Sequence, residues 1–299
     1  MLPIDLTGKN AFVAGVADDN GYGWAIVKAL AQAGATVRVG TWPPVYKIFN
    51  RSLSLGKLDM TLAGGGELQI EKIYPLDASF DVPEDVPVEV ADDKRYKKLT
   101  SYTIQEVAEE LKQDMGKGSL DILVHSLANG PEVQTPLVDT SRRGYLAAVG
   151  SSAYSLVSMV QRFGPYMGDE AAVVSLSYLA AEKVIPGYGG GMSSAKAALE
   201  SDTRTLAYEA GRRWGLRINT ISAGPLSSRA ARAIGSIEKI VDYYKVNSAL
   251  SGVNSALDVA NAATFLCSPL AAGISGETLH VDKGYNVMGI TAEDQLGKE

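Results

Sequence analysis

The sequence predicts an α/β fold: one doubly wound parallel sheet with helices on both faces. Three observations carry that expectation. Short β-rich runs alternate with longer runs of helical spacing along most of the chain. The first strand run leads through a glycine-rich turn into a helix. The chain has 299 residues, 46% of them apolar, enough for one large core, and open α/β folds often run to this length as a single unit.

Residues 10–15 read as the first strand and 24–33 as a helix closed by Gly34, a residue suited to a C-terminal cap. Residues 36–40 form the second strand. Strand runs recur at 121–126, 171–175, 217–222 and 278–282, with helical stretches at 103–115, 143–162, 193–214 and 255–266. The segment 43–102 breaks the rhythm. It holds Gly64-Gly65-Gly66, several prolines, mixed charge and one strand-like piece at 70–76, with too few apolar residues for a core of its own. It reads as an insertion after strand two, so residues 1–299 form a single domain.

Composition excludes several classes of function. The net charge of −6 argues against a nucleic-acid partner, which needs a concentrated basic face. The longest basic cluster, Lys94-Arg95-Tyr96-Lys97-Lys98, reads as a solvated loop or helix start. The one cysteine, Cys267, lies in an apolar helical run and reads as a packed core thiol, so no intrachain disulfide is expected. Both histidines, His125 and His280, fall inside strand runs and read as structural. No metal site is expected, and hydrolase chemistry lacks a histidine in a loop. No apolar run reaches about 18 residues, so no membrane span is expected. The first residues carry no signal or transit character, which fits either a protein acting where it is made or a mature chain.

The turn Gly15-Val16-Ala17-Asp18-Asp19-Asn20-Gly21-Tyr22-Gly23-Trp24 has the placement of a dinucleotide cradle in a Rossmann-type fold. Glycines let the backbone approach a pyrophosphate, and the helix start offers free N–H groups. Its spacing, Gly-x5-Gly-x-Gly, departs from the common pattern. Strand two ends Val39-Gly40-Thr41-Trp42-Pro43, with neither the acid expected for NAD nor the basic residue expected for NADP. Trp42 could stack on adenine or close the start of the insertion. Ribose chemistry leaves the choice of cofactor open.

The second half carries a tyrosine–lysine pair in Gly187-Tyr188-Gly189-Gly190-Gly191-Met192-Ser193-Ser194-Ala195-Lys196. A metal-free reductase needs a proton donor at the reacting oxygen and a cation to steady the cofactor ribose; phenol and ammonium supply both. The two are eight residues apart, about 12 Å of rise on an unbroken helix, too far for one small site. The three glycines between them imply a turn that carries Tyr188 back over a helix starting near Ser193.

With these motifs, and with Leu76-Asp77-Ala78-Ser79, Val124-His125-Ser126-Leu127-Ala128-Asn129-Gly130 and Ser222-Ala223-Gly224-Pro225-Leu226, the sequence resembles the enoyl-acyl-carrier-protein reductases. These are a divergent branch of the short-chain dehydrogenase/reductase superfamily. The likeness runs from Leu6 to Asp282 and is to the plant-plastid and apicomplexan type, whose spacing of the active pair it shares. It implies NADH-dependent reduction of the trans-2 double bond of enoyl thioesters on acyl carrier protein, the last reductive step of fatty-acid elongation. It also implies a homotetramer and a plastid-type organelle (chloroplast or apicoplast stroma), with the cytoplasm as the alternative.

The resemblance assigns roles. Tyr188 stabilises the enolate, Lys196 binds the ribose and Tyr178 lines the acyl pocket. Gly15, Ala17, Gly21 and Tyr22 surround the pyrophosphate and its ribose. Trp42, Asp77 and Ala78 hold the adenosine end, with Asp77 accepting from the adenine amino group. Ser126, Leu127 and Ala128 lie beside the cofactor, and Pro225, Leu226 and Ser227 near the nicotinamide amide. Asn129, Ala230, Ala231 and Ile234 face substrate, the last three on a substrate-binding loop at about 226–248. Arg229, Arg232 and Lys239 are the basic candidates for meeting the acidic carrier protein. Lys283 departs from the pattern, where a smaller or uncharged residue is expected, and puts the local turn or a subunit contact in question. Two other readings stay open: a ketoreductase of the same superfamily, disfavoured because Met192 stands four before Lys196, and a nucleotide-binding sensor or scaffold without catalysis.

Overall fold

The computed structural model describes residues 4–228, 231–235 and 237–290. Seven strands form one parallel sheet in the order β3-β2-β1-β4-β5-β6-β7, and its order reverses beside β1. In chain order the elements are β1 (Asn10–Ala14), α1 (Tyr22–Gln32), β2 (Thr36–Thr41), α2 (Pro43–Ser54), β3 (Ile70–Pro75), the single turn α3 (Val88–Ala91), α4 (Ile104–Met115) and β4 (Leu120–His125). Then come α5 (Arg142–Val149), α6 (Ser155–Phe163), β5 (Met167–Ser177), α7 (Met192–Trp214), β6 (Arg217–Ala223), α8 (Ile237–Asn247), α9 (Ala256–Cys267) and β7 (Thr278–Val281).

Side chains of a strand point alternately to opposite faces, and here both faces are covered. Ala11 and Val13 of β1, with Ile122 and Val124 of β4, join a core closed by Trp24, Ile26, Val27 and Leu30 of α1 and by Val259, Ala263 and Leu266 of α9. Phe12 and Ala14, with Leu123, face a second core filled by Ile104, Val107 and Leu111 of α4 and by Leu156, Met159 and Phe163 of α6. Two helices start at capping boxes, Thr103 with Glu106 and Ser255 with Asp258, in which side chain and backbone satisfy each other's first-turn donors. Cys267 is buried in the first core, and burial pushes its thiol up to about 12. No described helix is long and apolar enough to cross a membrane.

The structure departs from the sequence reading in three places. The segment 43–102 is only partly an insertion, because β3 pairs in parallel with β2 and extends the main sheet, and α2 precedes it. The strand-like piece read at 70–76 is that strand, and the sequence does not place it in the sheet because only Tyr74 of β3 is fully buried, as suits an edge strand. The helical stretch at 143–162 is not one regular helix. A π turn at Gly150–Tyr154 joins α5 to α6, and it turns two serines towards β4. Ser155 Oγ lies 2.8 Å from His125 Nε2. Ser152 Oγ accepts from Asn129 N at 2.9 Å. The region 226–248 is not all loop, since α8 occupies its second half.

Both histidines lie in strands as read. His125 is fully buried, and desolvation, with the Lys196 charge adding to it, holds its imidazole down to about 3, so it stays neutral. His280 lies on β7 with Nε2 3.3 Å from Glu182 Oε1.

Candidate active site

Parallel pairing makes the strands finish on one edge. Ala14 pairs with Gly40 and with His125, and Ser177 pairs with Ser222, so the segments after β1, β2, β4, β5 and β6 emerge side by side. In open parallel sheets that edge, at the reversal of strand order, is where a ligand fits.

The glycine turn is built for close approach. Gly15 has φ +97°, and a Cβ there would lie 2.0 Å from the Ser126 carbonyl oxygen and 3.1 Å from Leu127 Cδ2. Only glycine holds that position. Gly21 caps α1 without any side-chain hydrogen bond, no acid lies in the first turn, and a Cβ on Gly21 would meet nothing within 4 Å. The first-turn N–H groups and the positive end of the helix dipole therefore face open space, which suits a phosphate. Tyr22 Oη donates to the Gly224 carbonyl at 2.6 Å and accepts from Asn254 Nδ2 at 3.3 Å, tying this turn to the segment after β6. Pro225 is buried there, Leu226 half-buried and Ser227 exposed; Ala17 and Ala128 are exposed on the rim.

Beyond β2 and β3 lies a carboxylate with three donors. Asp77 Oδ2 accepts from Trp42 Nε1 at 3.2 Å and from Tyr96 Oη at 2.7 Å, and Oδ1 accepts from Ser79 N at 3.0 Å. Trp42 is 47% exposed, so it does not close a core. Ala78 is half-buried beside it. The basic cluster is corrected here. Its four cations are exposed as read, but Tyr96 in their midst is buried and reaches Asp77.

The glycines break the helix between Tyr188 and Lys196, as read. Tyr188 lies in the turn before α7, whose N-cap Gly191 is left-handed at φ +81°. Gly189 N donates to the Val133 carbonyl at 2.8 Å and Gly190 N to the Thr135 carbonyl at 2.9 Å, pinning the turn to the loop after β4. A Cβ on Gly190, at φ +61°, would fall 2.3 Å from the Glu132 carbonyl group. Gly190→Ala is expected to lower stability by on the order of 1–3 kcal/mol, the usual cost of such backbone strain, and to displace Tyr188. An unchanged melting temperature together with an unchanged kcat would contradict the pinning.

Lys196, one turn into α7, is fully enclosed, and its Nζ donates to the Leu176 carbonyl at 2.8 Å. Two residues further along the same strand end, the Tyr178 ring meets the Tyr188 ring edge-on at 5.2 Å. Burial presses the Lys196 ammonium down to about 8, with Glu200 working against the fall. Burial raises both phenols, Tyr178 to about 12 and Tyr188 beyond that, so both are protonated at neutral pH. A protonated phenol can donate to an oxygen that gains negative charge, and a buried ammonium nearby on the fold can stabilise that charge. Among the described residues no group of three His, Cys, Asp or Glu side chains could hold a metal.

A family model described as enoyl-(acyl carrier protein) reductase matches residues 71–286. The chain is 60% identical over 294 residues to enoyl-[acyl-carrier-protein] reductase [NADH] 2, chloroplastic, of Oryza sativa subsp. japonica, covering 98% of this chain and 79% of that protein. It is 57% identical over 300 residues to the chloroplastic NADH enzyme of Arabidopsis thaliana, covering 100% of this chain and 76% of that one. The chain belongs to the enoyl-acyl-carrier-protein reductase family. Among solved structures, the Plasmodium berghei enoyl-acyl-carrier-protein reductase with triclosan superposes with a TM-score of 0.92 at 48% identity, covering 96% of this chain and all of that one. The Anaplasma phagocytophilum reductase, solved with NAD, superposes at 0.77 and 31% identity, covering 96% and 97%.

Several of the remaining candidate residues are exposed. Asn129 is exposed, with its backbone held by Ser152. Ala231 opens a short 3-10 turn, Ala231–Ile234, and its N donates to Ser228 Oγ at 3.2 Å. Ala230 and Arg229 lie outside the described residues, as does the Ile234 side chain. Arg232 and Lys239 are exposed. Lys283 adopts φ +60°, which residues other than glycine rarely take, and its Nζ lies 3.4 Å from Asp258 Oδ2. The turn in question is thus formed, with Asp282 Oδ1 accepting from Gly284 N at 3.0 Å.

Sequence reasoning missed two tyrosines. Tyr244 of α8 stacks at 6.5 Å on Tyr178, and Tyr285 at 3.7 Å on Tyr244, which extends the Tyr188–Tyr178 pair into an aromatic row. The Tyr178 and Tyr244 hydroxyls are buried without a hydrogen-bond partner among the described residues. The helical run 237–247, with adjacent tyrosines at 243 and 244, was the available signal.

Proposed function

We propose that this chain reduces the trans-2 double bond of enoyl-acyl-carrier-protein thioesters with NADH, and that Tyr188 and Lys196 carry the chemistry. One observation carries the reading: a fully buried lysine at the Leu176 carbonyl, two residues before Tyr178, whose ring meets that of Tyr188, on the same sheet edge as an open helix N-terminus. NADH, when bound, supplies the hydride that adds to the β-carbon of the enoyl group. Negative charge then collects on the thioester oxygen, where the Tyr188 hydroxyl donates a hydrogen bond or its proton. Lys196 steadies the ribose and adds positive potential in a site shielded from water. Protonation at the α-carbon completes the saturated acyl chain.

Gly15, Gly21 and Tyr22 cradle the pyrophosphate. Trp42, Asp77 and Ala78 receive the adenosine, and Ser126, Leu127, Pro225, Leu226 and Ser227 flank the nicotinamide side. Tyr178, Asn129 and the loop with Ala230, Ala231 and Ile234 contact substrate. Arg232 and Lys239, with Arg229, are the cations offered to the acidic carrier protein; reversing their charges is expected to raise KM for the carrier-bound substrate and leave KM for crotonyl-CoA unchanged. A homotetramer would cover apolar side chains now exposed, among them Leu146, Tyr154 and Tyr208. Light scattering on the purified protein tests that assembly. The chloroplastic relatives support a plastid stroma as the place of action.

The direct test follows NADH absorbance with purified protein and crotonyl-CoA, with NADPH as the alternative donor. Oxidation that requires the enoyl substrate and prefers NADH is the expected result. NADH binding without turnover would overturn the enoyl specificity and favour the sensor reading.

A further inference from the structure

The Asp77 carboxylate presents an uneven set of acceptors. A carboxylate offers about four lone-pair positions. Oδ2 uses two, for Trp42 Nε1 and Tyr96 Oη, while Oδ1 uses one, for Ser79 N. One position on Oδ1 remains. Asp77 is 5% exposed, and among the described residues no lysine or arginine pairs with it. A carboxylate this buried calls for a further donor.

The donor that fixes the Oδ2 side comes from an unexpected direction. Tyr96 belongs to the segment between β3 and α4, in the run of four cations that the catalytic reading leaves unused. Its ring is 6% exposed and packs edge-on against Tyr102 at 5.2 Å, while the Tyr102 carbonyl accepts from Asp77 N at 2.7 Å. The segment therefore grips Asp77 through both backbone and side chain.

We propose that Tyr96 is a positioning residue for the cofactor. Its hydroxyl, with Trp42 Nε1, orients the Asp77 carboxylate so that the free position on Oδ1 accepts from the exocyclic amino group of the adenine, which makes the Tyr96 side chain a working part of the NADH site. The proposal rests on the reading of this edge as an NADH site. Tyr96 touches neither cofactor nor substrate; it acts through Asp77.

The test titrates NADH fluorescence against wild type, Tyr96→Phe and Tyr102→Phe, and repeats the titration with reduced nicotinamide hypoxanthine dinucleotide, which carries a carbonyl in place of the adenine amino group. Tyr96→Phe is expected to raise Kd and KM for NADH roughly tenfold, the scale of a hydrogen bond to a charged group, with kcat within about twofold. On the hypoxanthine cofactor the wild type and Tyr96→Phe are expected to agree within about twofold, because the amino group through which Asp77 acts is absent. Tyr102→Phe, which keeps the ring pair, is expected to leave Kd unchanged. An unchanged Kd for NADH in Tyr96→Phe, or an equal loss on both cofactors, would overturn the proposal, the second showing that Tyr96 serves folding alone. Binding is read without turnover, so a protein that binds NADH yet fails to reduce crotonyl-CoA would sink the reductase reading and leave this comparison intact.

Discussion

Tyr188→Phe lowers kcat for crotonyl-CoA reduction by about 10²–10⁴, the range a positioned proton donor contributes, while Kd for NADH changes little. The substitution keeps the ring that meets Tyr178 edge-on at 5.2 Å and removes only the hydroxyl. Burial raises the Tyr188 phenol, so at neutral pH it is a donor and not a phenolate. A developing enolate oxygen would then lose its nearest donor in a site where an unmet charge is costly. Tyr178→Phe is the natural comparison. Its hydroxyl is buried without a partner among the described residues, and its proposed role is in the acyl pocket, so the loss should fall mainly on KM for the enoyl substrate. Steady-state kinetics of the two variants, with NADH saturating, check the assignment. Equal kcat losses would show that the roles are shared, and a Tyr188→Phe enzyme with wild-type kcat would remove Tyr188 from the chemistry.

Lys196→Met gives the second large effect: a fall in kcat/KM for NADH on the order of 10²–10³, the scale of removing one preorganised electrostatic donor. The same lysine sets a pH limit. Burial lowers its ammonium from 10.5 to about 8, so the free enzyme loses this charge as pH rises through about 8. The ratio kcat/KM reports groups of the free enzyme, and its value for NADH should therefore fall above about pH 8 in wild type. The limb should persist in Tyr188→Phe, since the phenol stays protonated there, and vanish in Lys196→Met. Unfolding cannot mimic the effect through this group. A lysine whose folded value is depressed binds fewer protons folded than unfolded between about 8 and 10.5, so its contribution to stability rises with pH across that window. A flat profile to pH 10 would mean that Lys196 stays charged or does not matter to cofactor binding.

How much of this was legible in the sequence differs from element to element. Strands β1, β2, β4, β6 and β7 were found to within one or two residues because each is a short run rich in apolar and β-branched residues. The edge strand β3 was noticed but not placed in the sheet, because its outer residues are only half-buried and its pattern resembles a loop's. Helix α8 was absorbed into a loop, and with it Tyr244. The interruption at Gly150–Tyr154 could not be read, since a π turn leaves the helical spacing of its neighbours almost intact.

At the site, the sequence by itself singled out the residues proposed to carry the chemistry: Gly15 and Gly21 by their place after a strand, and Tyr188 and Lys196 by three glycines that forbid one straight helix between them. These are local constraints, set by backbone freedom and helix rise over a few residues. Only the tertiary structure decided what each residue faces. Lys196 reaches the carbonyl of a residue 20 positions away, Tyr22 one 202 away, and Asp77 is gripped by donors from three segments. A hydrogen bond of that kind depends on how strands pair and which loops meet at one sheet edge. Nothing in the spacing of a single chain encodes such a meeting, so Tyr96 read as part of a solvated basic run until the fold brought its hydroxyl to a buried carboxylate.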